Sequence, residues 1–165
     1  MAALAILVAL ISCGRVEETR SLNFDPETTA GALGPGWDGF EKTETGDTFV
    51  WAHGKEARLV VKSRADGDRL VRFRCWPFGW PGGPGQTLTL FVNDHKIDTL
   101  MLGGEQRVYA VQTPKAAWKR GINELKFAFA YAESPKDHIS GATDERTLSV
   151  GFDWLEILPP LPVRK

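Results

Sequence analysis

The densest run of side chains able to do chemistry is Arg69 to Trp80, RLVRFRCWPFGW. At the two-residue period of an extended chain it places Val71, Phe73 and Cys75 on one face and Arg72, Arg74 and Trp76 on the other. A flat indole beside two guanidinium groups suits a sugar. The pyranose ring stacks on the indole, and the Arg forks bond hydroxyls or carboxylates. Trp80 follows in a loop that continues as Pro81-Gly82-Gly83-Pro84-Gly85. Trp37, after Gly34-Pro35-Gly36, is a second candidate platform, with Glu41 nearby to accept hydrogen bonds from hydroxyls. Asp144 and Arg146 are candidate rim residues at the entrance to the last apolar run. Each has a plainer alternative: a solvated strand face with Trp76 folded onto the sheet, a Trp37 plug at the end of a sandwich, and an Asp144–Arg146 pair that fixes a loop. Trp51 and Trp154 are expected in the core, and Trp118 as a hydrophobic plug.

Catalysis has little support. His53, His95 and His138 are scattered, each near a turn, and no HExxH, Cys/His zinc spacing or G-x-S-x-G elbow occurs. Paired carboxylates for glycoside hydrolysis must face each other across a cleft, and spacing along the chain does not establish that. Asp66-Gly67-Asp68 offers oxygen ligands to a calcium ion but reads more simply as a hairpin turn. The expectation is a chain that is not an enzyme and uses neither cofactor nor metal.

The elements that must position these residues are strands. Thr147 to Leu158 alternates at first, with Leu148, Val150, Phe152 and Trp154 on one side and Ser149, Gly151 and Asp153 on the other. From Trp154 the alternation fails, which implies an end covered on both faces or a bulge at Gly151. Upstream, strands are expected at Ser21–Phe24, Thr48–Ala52, Ala57–Lys62, Arg69–Trp76, Gln86–Val92, Lys96–Leu102, Gln106–Gln112 and Asn123–Ala132, with turn residues between them. Lys115–Arg120 is the one helical candidate. Thr28–Gly39 and Glu133–Glu145 are long loops, where function concentrates. Many short strands and almost no helix argue for an all-β antiparallel sandwich. A jelly roll is the leading topology; an immunoglobulin-type sandwich, second, lacks the Cys…Trp…Cys framework.

With 165 residues, 42% of them hydrophobic, six tryptophans and nine phenylalanines, the chain has ample material for one packed domain. A net charge of −1 provides no electrostatic footprint for nucleic acid. Ala2 to Ser12 is an apolar run too short to span a bilayer. It leads into Leu10-Ile11-Ser12-Cys13, which resembles a bacterial lipobox, although no Lys or Arg precedes it. The organisation expected is a signal segment over 1–13 with Cys13 lipidated, a tether over 14–20, a jelly-roll domain over 21–158 and a proline-rich tail over 159–165. Cys75 is then left without a disulfide partner.

An ordered set of short motifs carries a family resemblance: Gly36-Trp37-x-Gly39-x-Glu41, Thr48-Phe49-Val50-Trp51-Ala52-x-Gly54, Val92-Asn93, Gly121-x-Asn123-x-Leu125, and Asp144-x-Arg146-x-Leu148-x-Val150-x-x-Asp153-Trp154. The set resembles the jelly-roll accessory domains at the C-terminal ends of bacterial membrane glycosyltransferases. The resemblance implies a galactose-binding-like sandwich that is itself non-catalytic and associated with envelope or exported polysaccharide. The combined expectation is an exported cell-envelope lipoprotein, on the membrane through its lipid anchor only, that binds carbohydrate through Trp37, Glu41, Arg72, Arg74, Trp76, Trp80, Asp144 and Arg146. The alternative is a structural or protein-interaction subunit of an envelope polysaccharide complex.

Overall fold

Short runs with apolar residues at every second position pair into two antiparallel sheets. The computed structural model describes residues 20–29, 31–63 and 67–159; Cys13, the signal segment, Asp66 and all of the tail beyond Pro159 lie outside them. The strands are β1 (Arg20–Asn23), β2 (Trp37–Lys42), β3 (Thr48–His53), β4 (Glu56–Ser63), β5 (Arg69–Pro77), β6 (Thr87–Val92), β7 (His95–Met101), β8 (Arg107–Thr113), β9 (Gly121–Phe129) and β10 (Leu148–Leu158). One sheet runs β2-β3-β10-β5-β8, with β1 also paired to β10; the other runs β4-β9-β6-β7. This is an all-β jelly-roll sandwich, and β10 is its spine. The first half of β10 pairs with β3, its second half with β1, and its other edge with β5.

The core lies between the sheets. Val50, Phe73 and Phe152 from one sheet and Leu59, Leu88, Leu90, Leu125 and Phe127 from the other are all fully buried. Phe127 centres a ring cluster, 5.0 Å from Phe152 and 5.8 Å from Phe73. Each such side chain contributes about 1.5–3 kcal/mol when fully buried. The face expected to be apolar on β5 is so: Val71, Phe73 and Cys75 are 0% exposed, with Arg72, Arg74 and Trp76 opposite them.

Two tryptophans close the ends of the sandwich. Gly36 has φ +91°, and a Cβ there would meet the Glu56 carbonyl oxygen at 2.0 Å, so only glycine lets the chain pass. Trp37 follows and turns inward. Its ring lies 5.3 Å from both Phe24 and Phe152, and its Nε1–H donates to the Arg58 carbonyl at 2.6 Å. Trp118 is buried as expected and donates its Nε1–H to Thr113 Oγ1. The Val92-Asn93 and Gly121-x-Asn123 motifs are structural. Asn93, at φ +47°, donates to Asn123 Oδ1 and accepts from the Glu124 amide, while buried Asn123 donates to the Lys119 and Gly121 carbonyls.

Several expectations are corrected. Trp37–Lys42, assigned to a loop and its sequel, is the edge strand β2. Its signal is broken because the register slips between Trp37 and Phe40, so that Asp38 and Gly39 together oppose Trp51. Lys115–Arg120 shrinks to a 3-10 turn at Lys115–Ala117, and an unanticipated four-residue helix, α1, forms at Pro135–His138. β10 slips twice, between Leu148 and Gly151 against β3 and again at Asp153 against β5. The second slip moves Trp154 out of the core row: Phe152 opposes Cys75, Trp154 opposes Arg74, and Leu155 returns inward opposite Phe73.

Candidate functional site

The outer face of the β2-β3-β10-β5-β8 sheet carries the chemistry. Val50 and Ala52 point into the core, so their β3 neighbours Phe49 and Trp51 point out. On the far side of β10, Trp76 of β5 also points out. Gly151 stands between the two indoles, paired to Trp51 on one edge and to Trp76 on the other. Because Gly151 has no side chain, the indole of Trp76 lies across it: a Cβ there would be 2.6 Å from Trp76 Cε2 and 2.7 Å from Cζ2. Trp76 then contacts Phe49 at 5.1 Å and Trp51 at 5.8 Å, the latter edge-on at 72°. Both indoles are half-buried, pinned to the sheet and partly open to solvent. Trp51, expected in the core, is therefore a surface ring and the main residue that sequence reasoning missed. The available signal was that its strand carries two apolar faces, one with small Val50 and Ala52, the other with bulky Phe49 and Trp51.

Ion pairs border this platform. On one flank Arg146 gathers three carboxylates, with Nη2 to Asp144 Oδ2 at 2.7 Å, Nη1 to Glu41 Oε1 at 2.5 Å and Nη1 to Asp38 Oδ2 at 3.6 Å. His53 Nδ1 approaches Asp38 at 3.4 Å. The Arg146 hydrogen bonds hold the Asp144 carboxyl below its usual range. The same contacts, Asp144 first and then Glu41, raise the guanidinium. On the other flank, Arg74 pairs with Asp153, whose side chain is 6% exposed and also accepts from Gln106 Nε2. Arg72 pairs with Glu156 at 3.3 Å and lies 5.7 Å above the Trp154 ring.

The structure thus brings together Glu41, Arg72, Arg74, Trp76, Asp144 and Arg146 on one face and separates Trp37 and Trp80 from it. Trp37 is directed inward, as described above. Trp80 belongs to a neighbouring loop cluster, where His138 of α1 stacks on it at 3.9 Å and 15°, Tyr131 meets it edge-on, and a Cβ at Gly83 would be 2.7 Å from its ring. It is a clasp for the loop more than an open platform. The Arg72 and Arg74 guanidiniums, expected to fork onto a ligand, are already committed to Glu156 and Asp153. A separate cleft of about 360 Å³ lies between the Asp25–Glu27 turn and β2, floored by Phe40 and reached by Glu41. Among the described residues, no group of three or more His, Cys, Asp or Glu side chains is arranged to hold a metal ion.

No family model matches the chain, and no curated protein matches it in sequence. Solved structures do match it in shape. A carbohydrate-binding module, CBM35, from Cellvibrio japonicus Abf62 superposes with a TM-score of 0.54 at 12% identity, covering 85% of this chain and 93% of that one. The C-terminal CBM6 of LamC, a laminarinase from the marine organism Zobellia galactanivorans, gives 0.52 at 8% identity, covering 86% and 100%. The CBM36-1 domain of a multidomain xylanase from the hindgut metagenome of Trinervitermes trinervoides gives 0.50 at 11%, covering 87% and 98%. At such identities the likeness is one of fold: the chain is built as the same kind of antiparallel jelly-roll sandwich as these modules.

Proposed function

We propose that the chain is a non-catalytic carbohydrate-binding module whose ligand stacks on Trp76 and Trp51. The observation that carries this reading is the seating of the Trp76 indole across Gly151 beside Trp51. Two half-exposed indoles set edge to face and packed on a sheet offer a ring face to a sugar at little entropic cost, because the rings are ordered before the ligand arrives. The likeness in fold to carbohydrate-binding modules supports the reading. Glu41, Asp144 and Arg146 form the polar rim on the β2 side, where hydroxyls find carboxylate acceptors already fixed in place.

The test is titration of the purified full chain against a polysaccharide panel. Truncation of a buried aromatic anchor typically removes about 2 kcal/mol or more, so Trp76→Ala and Trp51→Ala should each weaken binding roughly 30-fold. Unchanged affinity in both variants would remove this face from consideration.

The chain acts in this reading at the bacterial cell envelope, held by lipid on Cys13, where it meets envelope or extracellular polysaccharide. The apolar run ending in Leu10-Ile11-Ser12-Cys13 supports this placement. Incorporation of labelled palmitate that persists in Cys13→Ala would defeat it. A second reading, a protein-interaction subunit of an envelope complex, is favoured by β8, an edge strand with Val108 48% exposed that is open to strand addition. A stoichiometric protein partner displaced by Val108→Lys, in a chain that ignores every glycan tested, would favour that alternative.

A further inference from the structure

The charges of the outer face bear on which sugars it accepts. Three guanidiniums lie around the tryptophans on β5 and before β10, and each already holds a carboxylate of the same face: Arg72 holds Glu156, Arg74 holds Asp153, and Arg146 holds Asp144, Glu41 and Asp38. Arg74 spends its Nε and Nη2 on Asp153, so drawing it fully onto a ligand carboxylate or sulfate would leave that nearly buried charge without its cation, which is costly. Arg146 is in the same position with three acids around it. Five carboxylates against three guanidiniums leave this group of side chains with an excess of two negative charges when His53 is neutral.

We infer that this face prefers an uncharged glycan and disfavours uronate and sulfated polysaccharides. The inference rests on the reading of Trp51 and Trp76 as the stacking platform and narrows it. The rim hydrogen-bonds hydroxyls through carboxylate oxygens and repels anions at the same positions. An anionic group about 8 Å from two excess charges loses about fivefold in affinity in water at low salt and about twofold at physiological salt, for each charge on the bound sugar. The excess does not act on a neutral ring, so salt should leave neutral binding nearly unchanged.

The experiment uses matched pairs that share a backbone: cello-oligosaccharide and oxidised cellulose bearing uronates, laminarin and sulfated laminarin, carboxyl-reduced polygalacturonate and polygalacturonate. Each is titrated against the full chain at low and at physiological salt. The expected result is binding of at least one neutral member, with its anionic counterpart about fivefold weaker or more at low salt and the gap closing as salt is added. In Glu156→Gln, which releases Arg72 and lowers the excess to one charge, the ratio of neutral to anionic affinity should fall at least twofold. An anionic member bound as tightly as its neutral counterpart, or a ratio unmoved in Glu156→Gln, overturns the inference and leaves the carbohydrate reading standing. If no member of any pair binds, the carbohydrate reading itself falls and takes this inference with it.

Discussion

Gly151→Ala is the sharpest perturbation of the platform. Gly151 lies in extended backbone, without a positive φ, so alanine fits the strand itself. The added methyl instead meets the indole of Trp76, at 2.6 Å from Cε2, 2.7 Å from Cζ2 and 3.0 Å from Nε1. Carbon atoms in contact sit about 3.5–4.0 Å apart, so the ring must rise by about 1 Å. Doing so loosens its contacts with Phe49 and Trp51. Overpacking of this kind costs about 1–3 kcal/mol, and the stiffer unfolded chain returns about 0.4–1 kcal/mol, leaving a net loss of about 1–2 kcal/mol. Urea unfolding should show a lower midpoint with an unchanged m-value, and the near-UV circular dichroism of the coupled tryptophans should change. The decisive measurement is the double-mutant cycle with Trp76→Ala. Where the indole is absent the three atoms nearest the methyl are gone, so Gly151→Ala should then be neutral or slightly stabilising, with a coupling of about 2 kcal/mol. An equal penalty in both backgrounds would refute the seating of Trp76 on Gly151, and with it the rigid platform on which the functional reading depends.

Arg74→Ala strands Asp153 and should destabilise by about 2 kcal/mol in urea unfolding, less than a fully buried pair because the Arg74 side chain is 36% exposed. Its Asp153→Asn counterpart, which leaves no buried charge, should be milder. Asp144 has a folded pKa below its ordinary value, chiefly through the side-chain hydrogen bond from Arg146. Its contribution is therefore present above the unfolded carboxyl pKa and lost as pH falls through the folded one. Asp144→Asn should accordingly flatten the loss of stability below about pH 4, as followed by thermal unfolding across an acid series. Cys75 is fully buried, and burial pushes its thiol up, so in a Cys13→Ser background a thiol reagent at pH 8 should label the chain only after denaturant is added. Labelling of the native chain would show that the core opens at β5.

How far the sequence led, and where it stopped, follows from what period two can express. Alternation on β5 separates Val71, Phe73 and Cys75 from Arg72, Arg74 and Trp76 without reference to any other strand, and the same holds for Leu125 and Phe127 on β9. The antiparallel jelly-roll sandwich was legible for that reason. Alternation does not say which of two apolar faces is the core. TFVWAH on β3 is apolar on both sides, and only the opposing sheet selects Val50 and Ala52, leaving Trp51 outside. Nor does it survive an inserted residue. Asp153 puts itself and Trp154 on the outer face, which brings an acid to Arg74 and an indole beneath Arg72 where an unbroken count places Trp154 in the core. The bulge at Asp38 and Gly39 likewise hides β2 and the Asp38 carboxylate that joins Arg146. The two slips decide the chemistry of the site. They bring acids beside guanidiniums that the sequence presents as free to bond a sugar's hydroxyls or carboxylates, and so leave a face with paired arginines, surplus carboxylates and two half-exposed indoles.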